Sequence, residues 1–426
     1  MSITNSTFSI PVETLGLPDV EIIKVEINDS DEVIITVQST KKEIPCHVCG
    51  KPTEPHGKGQ TVQLRHLPVF GKTTYIEVTP PRGICPHCDK SPTSTQLASW
   101  YTRKSPQTKA YEKYILLSLI NSTVMDVSLK EGLGCQGIQA ILDRQVATKT
   151  EWKEIKEIGL LGLDEISLKK GRKDFVTIVT SRTDTGIRIL AVLKGREKAT
   201  VKAFLGEIPK HLHSTIVAIC SDMYDGFVNA AKEVFSGRIS VIVDRFHVAQ
   251  LYRKSLVSFR KKELKRLRKT LSEHEYRELK PAIALLCGHK EFFTEEEEKI
   301  VEPLFHQAPL LKVAYTLCSK LTQIFNSHLP PDQAIAFIDA WMQEVETSDV
   351  NCYNTFIKTL KKYKPEIVNY FINRHNSGFV EGVNNKIKVL KRRCYGITNL
   401  KHFFQRVFLD FSGYAFFGRN SGECFS

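Results

Sequence analysis

Five short apolar runs decide the fold: IGLLGLDEI (158–166), DFVTIVTS (174–181), IRILAVL (187–193), STIVAIC (214–220) and ISVIVD (239–244). Each has the length and the β-branched and aliphatic content of a strand. The first three are joined by tight connections, KKGRK (169–173) and TDTG (183–186), which predicts an antiparallel meander. After it, EKATVKAFLGEI (197–208) and GFVNAAKEVF (226–235) carry helical apolar spacing and lead into the fourth and fifth strands. The order is βββαβαβ, an α/β arrangement in which the first and fourth strands are expected to be parallel neighbours.

That order is the one of the RNase H-like fold, in which the first and fourth strands are parallel neighbours, and it places carboxylates. Asp164 ends the first strand and Asp222 directly follows the fourth, so both are expected at one edge of the sheet, side by side. Strands lie about 4.8 Å apart, which lets two carboxylates share a cation, and two-metal sites hold their ions about 3.5–4 Å apart. Asp244 ends the fifth strand, one strand further out and roughly 10 Å from Asp164 on strand spacing alone, so Asp222 is preferred as its partner. Asp225 and Asp244 also suit helix N-caps. Glu165 points to the other face of the strand.

Downstream, SGFVEGVNNKIKVLKRRCYGI (377–397) reads as a helix with Val383, Ile387 and Leu390 as its buried stripe. Glu381, Asn385, Lys388 and Arg392 share another face, an acid followed by groups suited to phosphate. Asp222 and Glu381 stand 159 positions apart, far more than one strand and a connection need. The intervening chain is helix-rich, and a helical insertion is expected over 251–364. Its basic run, with Arg260, Lys261, Lys262, Lys265 and Arg266, could clamp DNA phosphates or be a solvated face. Trp341 is expected in a core, with base stacking the alternative.

Upstream of the sheet, Cys46 and Cys49 form one C-x-x-C and Cys85 and Cys88 a second, each on a Pro- and Gly-containing turn. Four thiolates converging in this way select structural Zn2+ and leave no open catalytic position. Buried thiols or a redox pair are the competing readings, and a redox pair leaves the second motif unexplained. His47 and His87 lie inside the knuckles, but four sulfurs suffice. TVQLRHLPVF (61–70) and KTTYIEVTP (72–80) are expected to form a strand pair between the knuckles, as in a zinc ribbon. Next, VMDVSLKEGLGCQGIQAILDRQV (124–146) reads as two short helices about a Gly132–Gly134 turn, either a helix-turn-helix or an ordinary hairpin. Gln136, Gln139, Arg144 and Gln145 on its second helix are candidates for base contacts.

Composition agrees with these pieces. With 426 residues, about two to four domains are expected. Sixty Lys and Arg against 47 Asp and Glu leave +13, which favours a polyanionic partner. No stretch approaches the ~20 apolar residues of a membrane span, and MSITNSTFSIPVETLGLPDV lacks the pattern of a secretory signal. A cytoplasmic protein without membrane contact, nucleoid-associated when bound to DNA, is the expectation. The expected domains are a zinc-binding module (1–105), a helix-turn-helix segment (106–152), a first part of the catalytic core (153–250), the helical insertion (251–364) and C-terminal helices of the core (365–426).

Taken together, GLDEISLKKGRKDFVTIVTS (162–181), SDMYDGFVNAA (221–231), VDRFHVAQLYRK (243–254), FVEGVNNKIKVLKRRCYGITNLKHFFQRV (379–407) and the N-terminal RHLP with its cysteine pairs resemble the transposases of bacterial insertion sequences in the ISL-three family. The resemblance covers nearly the whole chain in the family's order. It implies a DDE transposase with an RNase H-like catalytic core and a triad at Asp164, Asp222 and Glu381. Two Mg2+ (or Mn2+) ions would be held there, beside structural Zn2+ in the N-terminal module. The implied partners are terminal inverted repeats, target DNA and further copies of the chain. An RNase H-like nuclease without joining activity, and a non-catalytic zinc and helix-turn-helix regulator, are the alternatives.

Overall fold

The computed structural model describes residues 11–168, 175–287, 293–375 and 378–418. These form two compact units, one from the chain up to Val146 together with residues from Ser412, the other from Ala147 to Phe411.

The first unit contains strands β1 (Val20–Ile27), β2 (Val33–Ser39), β3 (Glu54–Lys58), β4 (Val62–Val69), β5 (Lys72–Val78), β6 (Pro81–Ile84) and β7 (Thr93–Thr95). The expected β4–β5 hairpin is present, closed by a two-residue turn at Phe70 and Gly71 with positive φ at both, which suits the twist of the strands. It does not serve as the ribbon between the knuckles. β5 instead pairs in parallel with β2, giving a sheet in the order β1-β2-β5-β4. The reason is burial: edge-to-edge pairing sets Val33, Ile35 and Val37 beside Leu64 and Ile76 in one apolar face, which Leu15, Leu17 and Trp100 join in a single core. The ribbon itself is the small sheet β3-β6-β7.

Helices α1 (Lys109–Leu119), α2 (Val124–Glu131) and α3 (Cys135–Gln145) follow. Thr108 caps α1, and Thr123 with Asp126 forms a capping box on α2. Gly132 ends α2 at φ 60, a left-handed position that glycine takes without strain. Ile115, Val127, Ile138 and Leu142 are fully buried.

The second unit opens with β8 (Gly159–Ser167), β9 (Phe175–Thr183) and β10 (Gly186–Lys194), then α4 (Lys198–Gly206), α5 (Lys210–His213), β11 (Ile216–Ser221), α6 (Asp225–Phe235) and β12 (Val241–Val243). The sheet order is β10-β9-β8-β11-β12; β8, β9 and β10 are antiparallel, and β11 runs parallel to both β8 and β12. The expected KKGRK connection lies outside the described residues. Alternation along β8 sends Leu161 and Leu163 to one face, beneath α4 and α6, with Val201, Phe204 and Phe227. Gly162, Asp164 and Ile166 face the other way, toward α16 (Gly378–Arg393) and α17 (Leu400–Phe417). Val383, Ile387 and Leu390 make the expected buried stripe of α16.

Between the sheet and α16 lie α7 (Arg245–Thr270), α8 (Glu273–Glu278), α9 (Lys280–Cys287), α10 (Glu295–Gln307), α11 (Pro309–Asn326), α12 (Pro331–Thr347), α13 (Asn354–Lys362), α14 (Lys364–Val368) and α15 (Tyr370–Asn373). α7 carries apolar residues into two clusters. Tyr252 and Leu256 join Leu321, Trp341 and Phe356, while Leu267 joins Leu286, Leu304 and Leu311. Trp341 is 2% exposed and donates its indole N–H to the Leu317 carbonyl at 2.7 Å, so it is a core residue with no face left for a base. Among the described residues, no helix is long and apolar enough to cross a membrane.

Candidate active site

Parallel pairing of β8 with β11 sets Leu163 opposite Ser221, and each strand then delivers its aspartate, Asp164 and Asp222, at the same edge. Asp164 is enclosed. Its Oδ1 accepts the Glu165 N–H at 2.6 Å, and its Oδ2 accepts from the Asn384 amide on α16. Burial, and then the negative charge of Asp222, push the Asp164 carboxyl up to about 7. Two like charges are thus held together in a partly desolvated place.

His247, in the first turn of α7, stands between Asp222 and Asp244, with Nδ1 2.5 Å from one carboxylate and 3.3 Å from the other. Those two carboxylates, Asp222 foremost, push the imidazole up to about 10, so it is a cation at neutral pH. Asp244 is buried and caps α7 by accepting the Phe246 N–H at 3.0 Å, as expected of an N-cap. Strand spacing had set Asp244 apart from the site, whereas the structure links it to Asp222 through His247.

Asp225 departs from expectation. It begins α6 rather than capping it, and its carboxylate meets Lys362 and the Tyr363 hydroxyl, which hold it below the usual carboxylate range. Glu165, on the opposite face of β8, pairs with Arg196 at 2.8 Å. The Arg196 guanidinium lies over the rings of Phe175 and Tyr224, 4.7 and 4.9 Å from their centres.

Glu381 is exposed in the first turn of α16, three residues before Asn384, so the two share a helix side. Just before it, Val380 and Phe379 pack on β8 where Gly162 has no side chain. Among the described residues, the four cysteines, and not these carboxylates, are the group whose ligand atoms all lie within 4.8 Å of one another. Asn385, Lys388 and Arg392 are exposed, as the helix-face reading requires. The basic residues of α16 lying between them are engaged elsewhere, Lys386 and Arg393 with Asp410 and Lys391 with the Ser167 carbonyl.

On α7, Lys261, Lys262, Lys265 and Arg266 are exposed, with Arg266 also pairing with Glu263. Arg260, expected in the same basic run, is buried and donates to the Leu286 carbonyl and the Tyr315 hydroxyl, which removes it from any phosphate surface. On α3, Gln136 is exposed and Gln139 donates to Asp143 at 3.0 Å. Arg144 is engaged within the fold. It pairs at 2.6 Å with Glu112, which is 1% exposed, and Gln145 donates to the same carboxylate. The Arg144 guanidinium neutralises the buried acid and the Gln145 amide adds a hydrogen bond to it, which ties both side chains to α1.

The four cysteines converge. Cys46 and Cys88 sulfurs are 3.9 Å apart and those of Cys49 and Cys85 3.6 Å, and a tetrahedron with Zn–S near 2.3 Å has edges of about 3.8 Å. Backbone N–H groups of Val48 and His87 point at the Cys46 and Cys85 sulfurs, both at 3.4 Å. The Cys49 and Val48 N–H groups pull the Cys46 thiol down to about 6, while the neighbouring Cys49 sulfur pushes Cys88 up to about 12. Soft donors in this spacing fit Zn2+. His47 turns away to the Ser94 hydroxyl at 2.9 Å.

Two site residues escaped the sequence reading. Asn384 was passed over for Asn385 because the i, i+4 row from Glu381 was followed instead of i+3. From its sequence His247 is expected only as a packed or hydrogen-bonded residue, although its i+3 spacing from Asp244 in DRFH places both on one side of a helix start.

Comparison with known proteins shows the family. Residues 161–407 match a family described as Transposase, of the ISL3 type, and residues 42–104 match the zinc-finger of transposase IS204/IS1001/IS1096/IS1165. The transposase for insertion sequence element IS1001 of Bordetella parapertussis is 25% identical over 382 residues, 89% of this chain and 92% of that protein. The transposase for insertion sequence element IS1557 of Mycobacterium tuberculosis is 20% identical over 420 residues, 93% of each chain. With more than half its length in the match, the chain belongs to the ISL3 family of transposases, the family of the IS1001 relative.

Proposed function

We propose that this DNA transposase works as a DDE enzyme, with Asp164, Asp222 and Glu381 as the acids of an RNase H-like core. The reading rests chiefly on one observation. Asp164 and Asp222 leave neighbouring parallel strands at one edge, and their mutual charge and partial burial raise Asp164 to about 7. Hard carboxylate oxygens forced together in this way fit a divalent cation better than they fit each other.

Two Mg2+ (or Mn2+) ions held there would neutralise charge on the scissile phosphate and acidify the attacking oxygen, first of water and then of a freed 3′-hydroxyl. The protein's own groups do the rest. His247, charged and set between Asp222 and Asp244, holds the Asp222 carboxylate in place. Asn385, Lys388 and Arg392 on the exposed side of α16 run from Glu381 along a path suited to a DNA backbone, and Lys261, Lys262, Lys265 and Arg266 add a second basic surface. Helices α2 and α3 serve as a helix-turn-helix, with Gln136 exposed and Gln139 half-buried beside it for contacts to the terminal inverted repeats. Synapsis of two element ends calls for more than one copy of the chain, bound at the nucleoid.

The test is cleavage of DNA carrying an element end, in Mg2+ or Mn2+. Alanine at Asp164, Asp222 or Glu381 should abolish cleavage and leave end binding intact. Full cleavage by Asp222→Ala would move the second acid to Asp244. Pre-cut ends should be joined to target DNA, which a simple nuclease does not do, and loss of all activity without a divalent cation separates an enzyme from a regulator.

A further inference from the structure

Asn384 is 6% exposed, one turn after Glu381. Its Nδ2 donates to Asp164 Oδ2, yet its Oδ1 is enclosed with no hydrogen-bond partner. An amide oxygen left unsatisfied in a protein interior costs about 1–3 kcal/mol, so such an atom calls for a ligand. Its surroundings say which kind. The carboxylate beside it stands at the strand edge it shares with Asp222, and a neutral oxygen there adds a donor without adding a further repelling charge. The amide is also held firmly in place, because the missing side chain at Gly162 lets Val380 and Phe379 bring α16 against β8 at the level of Asp164.

We propose that Asn384 belongs to the cation-binding set, its Oδ1 supplying a neutral oxygen ligand to the divalent ion at Asp164. The inference rests on the acid site proposed above. In this arrangement one amide has two tasks: its N–H steadies one oxygen of Asp164, and its C=O meets the cation. Asn384 therefore contributes to affinity for the ion as well as to the orientation of the acid.

The experiment is Mn2+ binding to the full-length, zinc-loaded protein without DNA, followed by the loss of the free-ion electron paramagnetic resonance signal. Asn384→Ala should weaken Mn2+ binding about 10- to 100-fold, the range found when supporting groups of metal sites are removed. Asn384→Asp keeps an oxygen and loses the N–H, and should bind Mn2+ within a few-fold of the parent or tighter. Thermal unfolding of each variant establishes that it is folded, and Asn384→Ser provides a second oxygen-bearing variant should the aspartate fail to fold. Unchanged binding by Asn384→Ala overturns the inference, and so do Asn384→Asp and Asn384→Ser variants as weak as the alanine one, since the amide would then act as a donor only. Asp164→Ala separates the two layers. If it loses Mn2+ while Asn384→Ala does not, only the role of Asn384 fails; if it binds normally, the acid site itself is wrong.

Discussion

Gly162 offers a way to move the third acid without touching any acid. A methyl group built there would lie 2.6 Å from a Val380 methyl, 3.1 Å from the Phe379 ring and 2.4 Å from the Thr180 hydroxyl. Carbon atoms in contact prefer about 3.5–4.0 Å, so α16 must retreat by about 1 Å to admit Gly162→Ala. Overpacking of this kind costs about 1–3 kcal/mol of stability. The same 1 Å separates Glu381 and Asn384 from Asp164, and a misplacement of that size typically costs about 100-fold in rate. Gly162→Ala should therefore fold, bind element ends within a few-fold of the parent, and cleave them about 100-fold more slowly under single-turnover conditions. Adding Val380→Ala removes the closer of the two helix contacts and should restore at least about ten-fold of that loss, a coupling that a double-mutant cycle reads directly. Wild-type cleavage by Gly162→Ala, or a double variant no faster than the single one, refutes the argument that the approach of α16 to β8 sets the site.

Three other outcomes follow from the N-terminal unit. Cys85→Ser should lower bound zinc from about one ion per chain to near zero by elemental analysis and depress the unfolding midpoint of that unit. Glu112→Ala strands Arg144 and Gln145 and should cost about 2–3 kcal/mol in urea unfolding, less than for a fully buried pair because Arg144 is part-exposed, while Arg144→Ala should leave base preference at element ends unchanged. His66 is buried with Nδ1 at 2.9 Å from the Thr108 hydroxyl, and burial lowers its pKa from the usual 6.5. The folded state then binds fewer protons than the unfolded state, so stability is lost as pH falls below about 6.5, by at most about 1.4 kcal/mol per pH unit for one proton; His66→Gln should remove that component when the two unfolding curves are compared across pH.

Much of the catalytic unit was legible because its signals are local and periodic. The five strands, the αβ alternation after them and the stripe Val383, Ile387 and Leu390 all follow from side-chain spacing. The four cysteines were legible for a different reason, since thiolate pairs on tight turns admit few other uses. What was not legible depends on tertiary pairing. Nothing local in KTTYIEV says that it will join β2 in parallel, because that follows from which apolar faces remain uncovered. Nor does local charge distinguish Lys261 from Arg260 or Gln136 from Arg144; the difference lies in whether the helix turns the side chain toward Leu286 or Glu112, or toward water. Asn384 was hidden in the same way, a polar residue beside the exposed row of a helix whose value appears only when Asp164 is found against it.

The long interval between Asp222 and α16 also has a consequence in time. A chain emerging from the ribosome at about 5–20 residues per second needs on the order of ten seconds to pass from Asp222 to Glu381. Throughout that interval the zinc module and the first two acids exist while Glu381, Asn384 and the Gly162-facing helix do not. On the proposed triad, a chain still being made would carry the zinc module and two of the acids well before it carries the third. The insertion would then set a delay of that length between the start of the acid set and its completion.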